Sequence, residues 1–192
     1  MANADRANVW LRMARFPAVA DSLRALADHV AAEVDRTRPR CDLSGRCCNF
    51  EAYGHRMYLT GLEVAYAAVL HRRSPAEPSL NDPSPPTAPA SRSLPILRPA
   101  APAVLVPLSP ASLADALARG GCPFQVGLRC GIHAIRPLPC RVYFCDPAAQ
   151  AWQHDLTERL LRQIRALHDQ HDIPYVYAEW RSLLAEVLAA EG

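Results

Sequence analysis

The chain has 192 residues with a formal net charge of +2, and half of its residues are hydrophobic. This length suits one domain with a buried core, and the composition argues against general disorder and against a strongly basic nucleic-acid-binding protein. All 21 basic residues are arginine, which excludes chemistry that needs a lysine amine, such as a P-loop or a Schiff base.

The N-terminal 40 residues predict two helices that meet at Pro17, because proline interrupts helical hydrogen bonding. In the second helix, apolar residues recur at three- and four-residue spacing, as in an amphipathic helix. These residues are Val19, Leu23, Leu26, Val30 and Val34. The sequence Arg38-Pro39-Arg40 should end the helix, and residues 41–55 have no clear period and are expected to form a loop.

A third helix should begin at Thr60-Gly61-Leu62-Glu63, which has the spacing of a capping box. Residues 74–110 then contain eleven of the eighteen prolines, so they predict a Pro-rich insertion or linker rather than regular helix. Ser109-Pro110 should start another helix that ends at Gly120-Gly121.

The segment from Cys122 to Cys145 again reads as a loop, and two helices should follow it. Asp155 to Glu158 could cap the first, and the second should begin at about Pro174 and bury Trp180. The predicted fold class is therefore mainly α: a small helical domain spanning residues 1–192, with two metal-binding cysteine loops and the Pro-rich insertion at 74–110.

The seven cysteines are an odd number, so full disulfide pairing would leave one thiol over. The first residues are polar and interrupted by arginines, which is unlike a secretory signal, and no apolar run reaches the ~18 residues of a membrane helix. We therefore expect a cytoplasmic protein with reduced cysteines and no membrane or nucleic-acid partner. Clustered reduced cysteines in that compartment usually bind metal or do redox chemistry.

The cysteine spacing is Cys41-x5-Cys47-Cys48 in the first loop and Cys122-x7-Cys130-x9-Cys140-x4-Cys145 in the second. Thiolates are soft ligands that select zinc, copper(I) or iron–sulfur clusters over calcium and magnesium. The adjacent sulfurs of Cys47 and Cys48 either serve different metals or need a turn, which Gly45 would allow. Spacing alone thus favours a metal site and leaves its type open.

Both loops resemble a known family. Cys41-Asp-Leu-Ser44-Gly45-Arg-Cys47-Cys48 is similar to the CxxCxxCC signature of the YkgJ-like cysteine-cluster proteins, described as chelating zinc or iron. In the second loop, Cys122-Pro-Phe and the run from Cys130 through Arg136-Pro137 and Cys140-Arg141 to Cys145 follow that family's pattern nearly position by position. The resemblance covers residues 41–145 and implies a zinc or iron cofactor, including iron in an iron–sulfur cluster.

Two departures from the family pattern affect the ligand set. Ser44 stands at the usual second cysteine, and His133 stands at a usual tyrosine. His133, His55 or an exogenous ligand could fill the position lost at Ser44, giving either a closed site or an open one. The candidate metal ligands are Cys41, Cys47, Cys48, Cys122, Cys130, Cys140, Cys145 and His133.

Other polar residues have simpler interpretations. His168 and His171 are spaced to chelate, but neighbouring aspartates favour a solvated helix end. Arg136 and Arg141 could bind an anionic substrate or balance the thiolate charge, and the family resemblance implies the second role. Asp146 and Glu51 could act as acid or base only on grounds of proximity in sequence.

Three functions remain open at this point. The first is a metal-binding or iron–sulfur protein whose centre holds the fold or carries metal. The second is a metal-dependent modifying or redox enzyme, since the flagellin lysine N-methylases carry a similar cysteine signature, although no glycine-rich nucleotide loop follows a strand here. The third is an interaction module in which the Pro-rich segment binds a protein partner and the metal is a staple.

Overall fold

The computed structural model describes residues 3–42, 44–73 and 107–191, and across these residues the chain is mainly helical. The helices are α1 (Asn3–Arg15), α2 (Pro17–Thr37), α3 (Gly61–Arg73), α4 (Pro110–Ala118), α5 (Leu138–Val142), α6 (Gln150–Gln170) and α7 (Trp180–Glu191). The short strands are β1 (Tyr58–Thr60), β2 (Gln125–Val126), β3 (Arg129–Cys130) and β4 (Tyr177–Glu179). Most of the predicted Pro-rich insertion, residues 74–106, lies outside the described residues.

The predicted break at Pro17 is confirmed, since α1 ends at Arg15 and Pro17 is the first residue of α2. Helix α2 ends as expected before Pro39. Arg38 adopts a left-handed conformation with φ 50° and donates its backbone N–H to the carbonyl of Val34 at 2.7 Å. This is a C-cap of the kind that glycine more often occupies.

The capping box of α3 is also confirmed. The Glu63 carboxylate accepts from the backbone N–H and the hydroxyl of Thr60, both at 2.9 Å, and the Thr60 hydroxyl accepts from the Glu63 N–H at 3.4 Å. A capping box made of two serines begins α4. The Ser109 N–H donates to the Ser112 hydroxyl at 3.0 Å, and the Ser112 N–H donates to the Ser109 hydroxyl at 3.1 Å. Local side-chain chemistry therefore sets both helix starts.

The main core lies where α1, α3 and α7 pack together. Trp10 of α1 is fully buried there, and its indole N–H donates to the carbonyl of Pro174 at 2.8 Å. Gly61 is needed at this crossing, because a Cβ atom on it would lie 2.4 Å from the Trp10 ring. Trp180 is buried in the same core, as predicted.

The segment before α7 differs from the prediction. Instead of a helix from Pro174, residues 177–179 form β4, which pairs antiparallel with β1 so that Tyr58 faces Glu179 and Thr60 faces Tyr177. Helix α7 begins only at Trp180, where the Glu179 carboxylate accepts from the backbone N–H groups of Arg181 and Ser182 at 3.0 and 3.2 Å.

The start of α6 was also predicted wrongly. A short 3-10 turn at Pro147–Ala149 leads directly into Gln150, so Asp155 lies inside the helix rather than at its N-terminus. Asp146 is the residue that caps this turn, since its side chain accepts from the Ala148 N–H at 2.9 Å. Asp146 thus has a structural role, and nothing in its contacts supports acid–base chemistry.

A second, smaller core joins α2, α5 and α6 through Val30, Leu138, Val142, Leu156, Leu160 and Ile164. Helix α5 therefore lies beside both cores, because Cys140 at its centre packs against the main one. Among the described helices, none is long and apolar enough to cross a membrane.

Candidate metal centre

The first cysteine loop contains the turn that the adjacent thiols require. Gly45 has φ 70° and leads into a 3-10 turn at Arg46–Cys48. This turn places the sulfurs of Cys47 and Cys48 4.0 Å apart. Two thiolates on one tetrahedral zinc, each about 2.3 Å from the metal, are separated by roughly 3.8 Å. The pair is therefore spaced to bind one ion together.

The second loop is tied to the first through the backbone. The N–H of Cys122 donates to the carbonyl of Cys48 at 2.8 Å, and the N–H of Glu51 donates to the carbonyl of Gly120 at 3.0 Å. A Cβ on Gly121 would lie 3.1 Å from the Cys48 carbonyl oxygen, so the close approach of the two backbone segments favours glycine at residue 121. Gly120-Gly121 thus ends α4, as predicted, and also lets the two cysteine loops meet.

Two further elements of the second loop bring in more thiols. Strands β2 and β3 form a small hairpin that pairs Gln125 with Cys130. Pro137 precedes the short helix α5, on which Cys140 lies. The sequence predicted only irregular structure here, so the hairpin and α5 are additions. Together the loops contribute a five-sulfur group, which we define as Cys47, Cys48, Cys122, Cys130 and Cys140.

The thiols of the five-sulfur group change one another's pKa values. Cys48 is buried, and hydrogen bonds with Cys122, Cys130 and Cys47 raise its pKa above the ordinary value. The hydrogen bond from Cys48 lowers the pKa of Cys130, and it lowers the pKa of Cys47 to about 6. For Cys140, burial and then the charges of Cys122, Cys130 and Cys47 raise the pKa. Within this group Cys47 therefore loses its proton most readily.

Arg136 is the cation beside this group. Its charge lowers the pKa values of Cys47, Cys130 and Cys140, although in each case it ranks behind hydrogen bonding or burial. Its Nε atom is buried and has no hydrogen-bond partner among the described residues. A guanidinium in this position offsets part of the negative charge that several thiolates would carry.

The remaining candidates in the cysteine loops lie to one side. Cys41 is exposed, and Cys145 is half-buried with its sulfur 3.9 Å from the Ser44 hydroxyl. The N–H of Arg40 donates to the Asp146 carboxylate at 3.0 Å, which holds the segment before Cys41 against the segment after Cys145. Ser44, the position where the family pattern has cysteine, therefore faces Cys145.

The two histidine candidates differ in their surroundings. His133 is exposed, and partial desolvation followed by the charges of Arg136 and Arg141 lowers its pKa. His55 stacks on Tyr143 with ring centroids 5.2 Å apart, and both of its ring nitrogens are buried with no hydrogen-bond partner in the described part of the chain. A buried imidazole without a partner is costly, so His55 is the histidine better suited to receive a ligand.

The donor chemistry fits zinc or iron, since all seven cysteines are free thiols. Within residues 3–42, 44–73 and 107–191, however, no three His, Cys, Asp or Glu side chains adopt the arrangement of a metal site.

Comparisons with known proteins give no relative. No protein-family model matches the chain, and no curated protein and no solved structure is significantly similar to it.

Three residues outside the centre also differ from expectation or gain a role. His168 was expected at a solvated helix end, but it is buried, and its Nδ1 lies 3.1 Å from the Ile173 carbonyl oxygen. Glu51 forms ion pairs with Arg56 and the buried Arg181. Glu63, recognised from the sequence only as a cap, is buried, and one of its carboxylate oxygens has no hydrogen-bond partner among the described residues. Only the capping-box spacing hinted at its importance.

Proposed function

We propose that the protein binds zinc or iron, including iron in an iron–sulfur cluster, through its cysteine loops. The observation that supports this is that cysteine segments distant in the sequence meet: the Cys122 N–H donates to the Cys48 carbonyl at 2.8 Å, and the sulfurs of Cys47 and Cys48 lie 4.0 Å apart. A soft metal ion uses such a set of thiolate donors.

The proposed ligands of the first ion are four members of the five-sulfur group. Four thiolates complete a tetrahedral site, and the 4.0 Å spacing of Cys47 and Cys48 suits two of its vertices. The fifth thiol or His55 would then serve as an alternative ligand or as a hydrogen-bond donor to sulfur. Cys41 and Cys145, with Ser44 between them, would contribute to a second and less complete position.

A bound ion would also link the two loops, and so would add to folding stability. Such a role agrees with the resemblance to YkgJ-like cysteine-cluster proteins, which we retain as part of the proposal. A cytoplasmic location belongs to it as well, because the centre needs reduced thiols.

Anaerobic purification followed by elemental analysis and an absorption spectrum tests the proposal. We expect zinc or iron at one or more ions per chain. A brown protein with iron and acid-labile sulfide in matching amounts would mean a cluster, and a colourless protein with zinc would mean a mononuclear site. Protein that contains neither metal, and that fails to take up either when reduced, would contradict it.

Replacing Ser44 with cysteine tests the second position. Because the Ser44 hydroxyl lies 3.9 Å from the Cys145 sulfur, a thiol at residue 44 would add a soft ligand beside Cys145. We expect Ser44→Cys to raise the metal content per chain and Ser44→Ala to leave it unchanged. Equal metal content in both variants would exclude a second position there.

A further inference from the structure

A cleft opens between α2, α3 and the segment 135–141. Its walls are mostly apolar, including Leu23 of α2 and Leu138 of α5, and the polar side chains along it are Glu63, Tyr66, Arg136 and Arg141. Two arginines on one small apolar cleft are unusual, since a guanidinium is costly to place against apolar surface without a partner.

Neither arginine forms an ion pair with Asp or Glu among the described residues, although thiols lie beside Arg136 and the charge of Asp28 partly offsets the effect of burial on Arg141. Arg141 donates to two backbone carbonyls, those of Arg136 at 2.8 Å and Ala134 at 2.7 Å, and these bonds hold the loop before α5. Among the described residues, every close ion pair with Asp or Glu is made by another arginine. Burial followed by the charge of Arg136 lowers the pKa of Arg141.

The other two polar side chains carry less than one full negative charge near neutral pH. Tyr66 is half-buried, and desolvation raises the pKa of its hydroxyl, which therefore stays a donor. Glu63 uses one carboxylate oxygen for Thr60, and the other is buried with no partner in the described part of the chain. Burial raises the pKa of Glu63 to about 7, so a large fraction of this carboxyl is neutral near neutral pH and can donate a proton to a neighbour.

We propose that this cleft binds the carboxylate of a small organic acid with a short aliphatic tail. Arg141 and Arg136 would hold the carboxylate through charge-assisted hydrogen bonds, Tyr66 would donate a further one, and the apolar wall around Leu23 and Leu138 would bury the tail. A planar carboxylate with an apolar tail fits these walls better than inorganic phosphate, which would leave most of its oxygens against apolar side chains.

The proposed ligand would lie beside the five-sulfur group, because Arg136 lines the cleft and also acts on Cys47, Cys130 and Cys140. The proposal does not require a metal ion, since the cleft is built from arginine, tyrosine and apolar side chains. Binding of an acid and binding of a metal can therefore be measured and can fail separately.

Isothermal titration calorimetry on the purified full-length protein, with its metal content determined in parallel, tests the proposal. The probes are butyrate, its neutral near-isostere butyramide, and inorganic phosphate. We expect butyrate to bind at least tenfold more tightly than butyramide or phosphate, because the isosteric amide lacks the charge that both arginines face. Equal binding of butyrate and butyramide, no binding of butyrate, or tighter binding of phosphate would each overturn it.

Variants then locate the site. Arg141→Gln should weaken butyrate binding at least tenfold, and Tyr66→Phe should weaken it severalfold. The matched control is Arg162→Gln, which removes an exposed arginine of α6 that does not line the cleft and should leave the affinity unchanged. An unchanged affinity in both Arg141→Gln and Tyr66→Phe would overturn the assignment to this cleft. If circular dichroism shows that Arg141→Gln has lost its helical structure, the affinity of Tyr66→Phe and the comparison of butyrate with butyramide test the cleft instead. Protein that binds butyrate but contains no zinc or iron, and takes up neither when reduced, would contradict only the metal proposal.

Discussion

At the scale of single residues, Cys48 joins the two cysteine loops in two ways. Its carbonyl accepts the Cys122 N–H, and its buried thiol interacts with three other sulfurs. Backbone and side chain therefore both hold this residue at the centre of the five-sulfur group. Cys41, by contrast, is exposed and lies outside that group.

This difference predicts unequal effects of two serine substitutions. Cys48→Ser should reduce the metal content per chain severalfold, because a hydroxyl is a poor ligand for zinc or iron–sulfur clusters. The matched control, Cys41→Ser, should retain most of the metal. The measurement is elemental analysis of both variants after anaerobic purification, with circular dichroism as a check on folding. Retention of full metal content by Cys48→Ser would contradict the proposed centre.

Glu63 gives a pH prediction. Burial raises its pKa in the folded protein to about 7, above the ordinary value of 4.5, so the folded state holds the proton more tightly between these values. The stability from this group is therefore complete below the ordinary value and is lost as the pH rises through about 7.

The variant Glu63→Gln should remove this dependence, since the glutamine amide oxygen can still accept from Thr60. We expect the wild type to lose about 2 kcal/mol more unfolding free energy than Glu63→Gln between about pH 5 and pH 8. Urea unfolding at both pH values measures this. The control is Glu158→Gln, at an exposed position of α6. Parallel pH profiles for the wild type and Glu63→Gln would show that Glu63 is ionised in the folded protein at all these pH values.

Residue identity alone predicts which residues could bind a metal, but it does not show which of them are buried together. The sequence predicted both Cys41 and Cys48 as ligands, with Cys41 the least certain because its partner position is lost at Ser44. It favoured His133, inside the cysteine loop, over His55. Burial separates each pair, since Cys48 and the ring nitrogens of His55 are enclosed while Cys41 and His133 are exposed. Burial depends on how distant segments pack, so a local sequence motif does not predict it.

At the scale of secondary-structure elements, the sequence predicts best where a boundary depends on adjacent residues. The Pro17 break and the caps of α3 and α4 depend on local hydrogen bonds and were predicted correctly. Strand β4 was missed because its partner, β1, is distant in the chain, so the apolar pattern of residues 174–188 resembled a longer helix. The start of α6 was missed because Asp146-Pro147 is an earlier cap than Asp155.

The crossing of α1 and α3 predicts the effect of one added methyl group. Gly61→Ala would place a Cβ 2.4 Å from the buried Trp10 ring, so we expect a loss of about 3 kcal/mol of unfolding free energy from overpacking. The matched control is Gly54→Ala, where the added Cβ meets nothing within 4 Å and only the positive φ matters. That variant should lose about 1 kcal/mol. Chemical denaturation measures the unfolding free energy of both variants. A smaller loss in Gly61→Ala than in Gly54→Ala would contradict the close contact between residue 61 and the Trp10 ring.

At the scale of the whole molecule, the cysteine loops lie where the two cores meet. Cys48 and Cys122 belong to the main core, and α5 joins Cys140 to the core formed with α2 and α6. An ion held by the five-sulfur group would therefore bridge segments from both halves of the chain. The sequence predicted the mainly helical class, but the contact between the loops depends on the Gly120-Gly121 approach and could not be predicted from it.

Removing the metal should consequently destabilise the entire chain. We expect a chelator added under reducing conditions to lower the Tm of the wild type by roughly 5 °C or more, because ions that bind only the folded state stabilise it. The Tm of Cys48→Ser should hardly respond to the same chelator. Differential scanning calorimetry measures both, and an equal shift in the two proteins would indicate that the chelator acts elsewhere.

The central claim, that thiolates of the five-sulfur group hold a metal ion, is tested most directly by X-ray absorption at the zinc or iron edge of the anaerobically purified protein. We expect a first shell dominated by sulfur, with about four sulfurs at roughly 2.3 Å, and a loss of sulfur from that shell in Cys48→Ser. A first shell of nitrogen and oxygen alone, or a shell unchanged by Cys48→Ser, would contradict it.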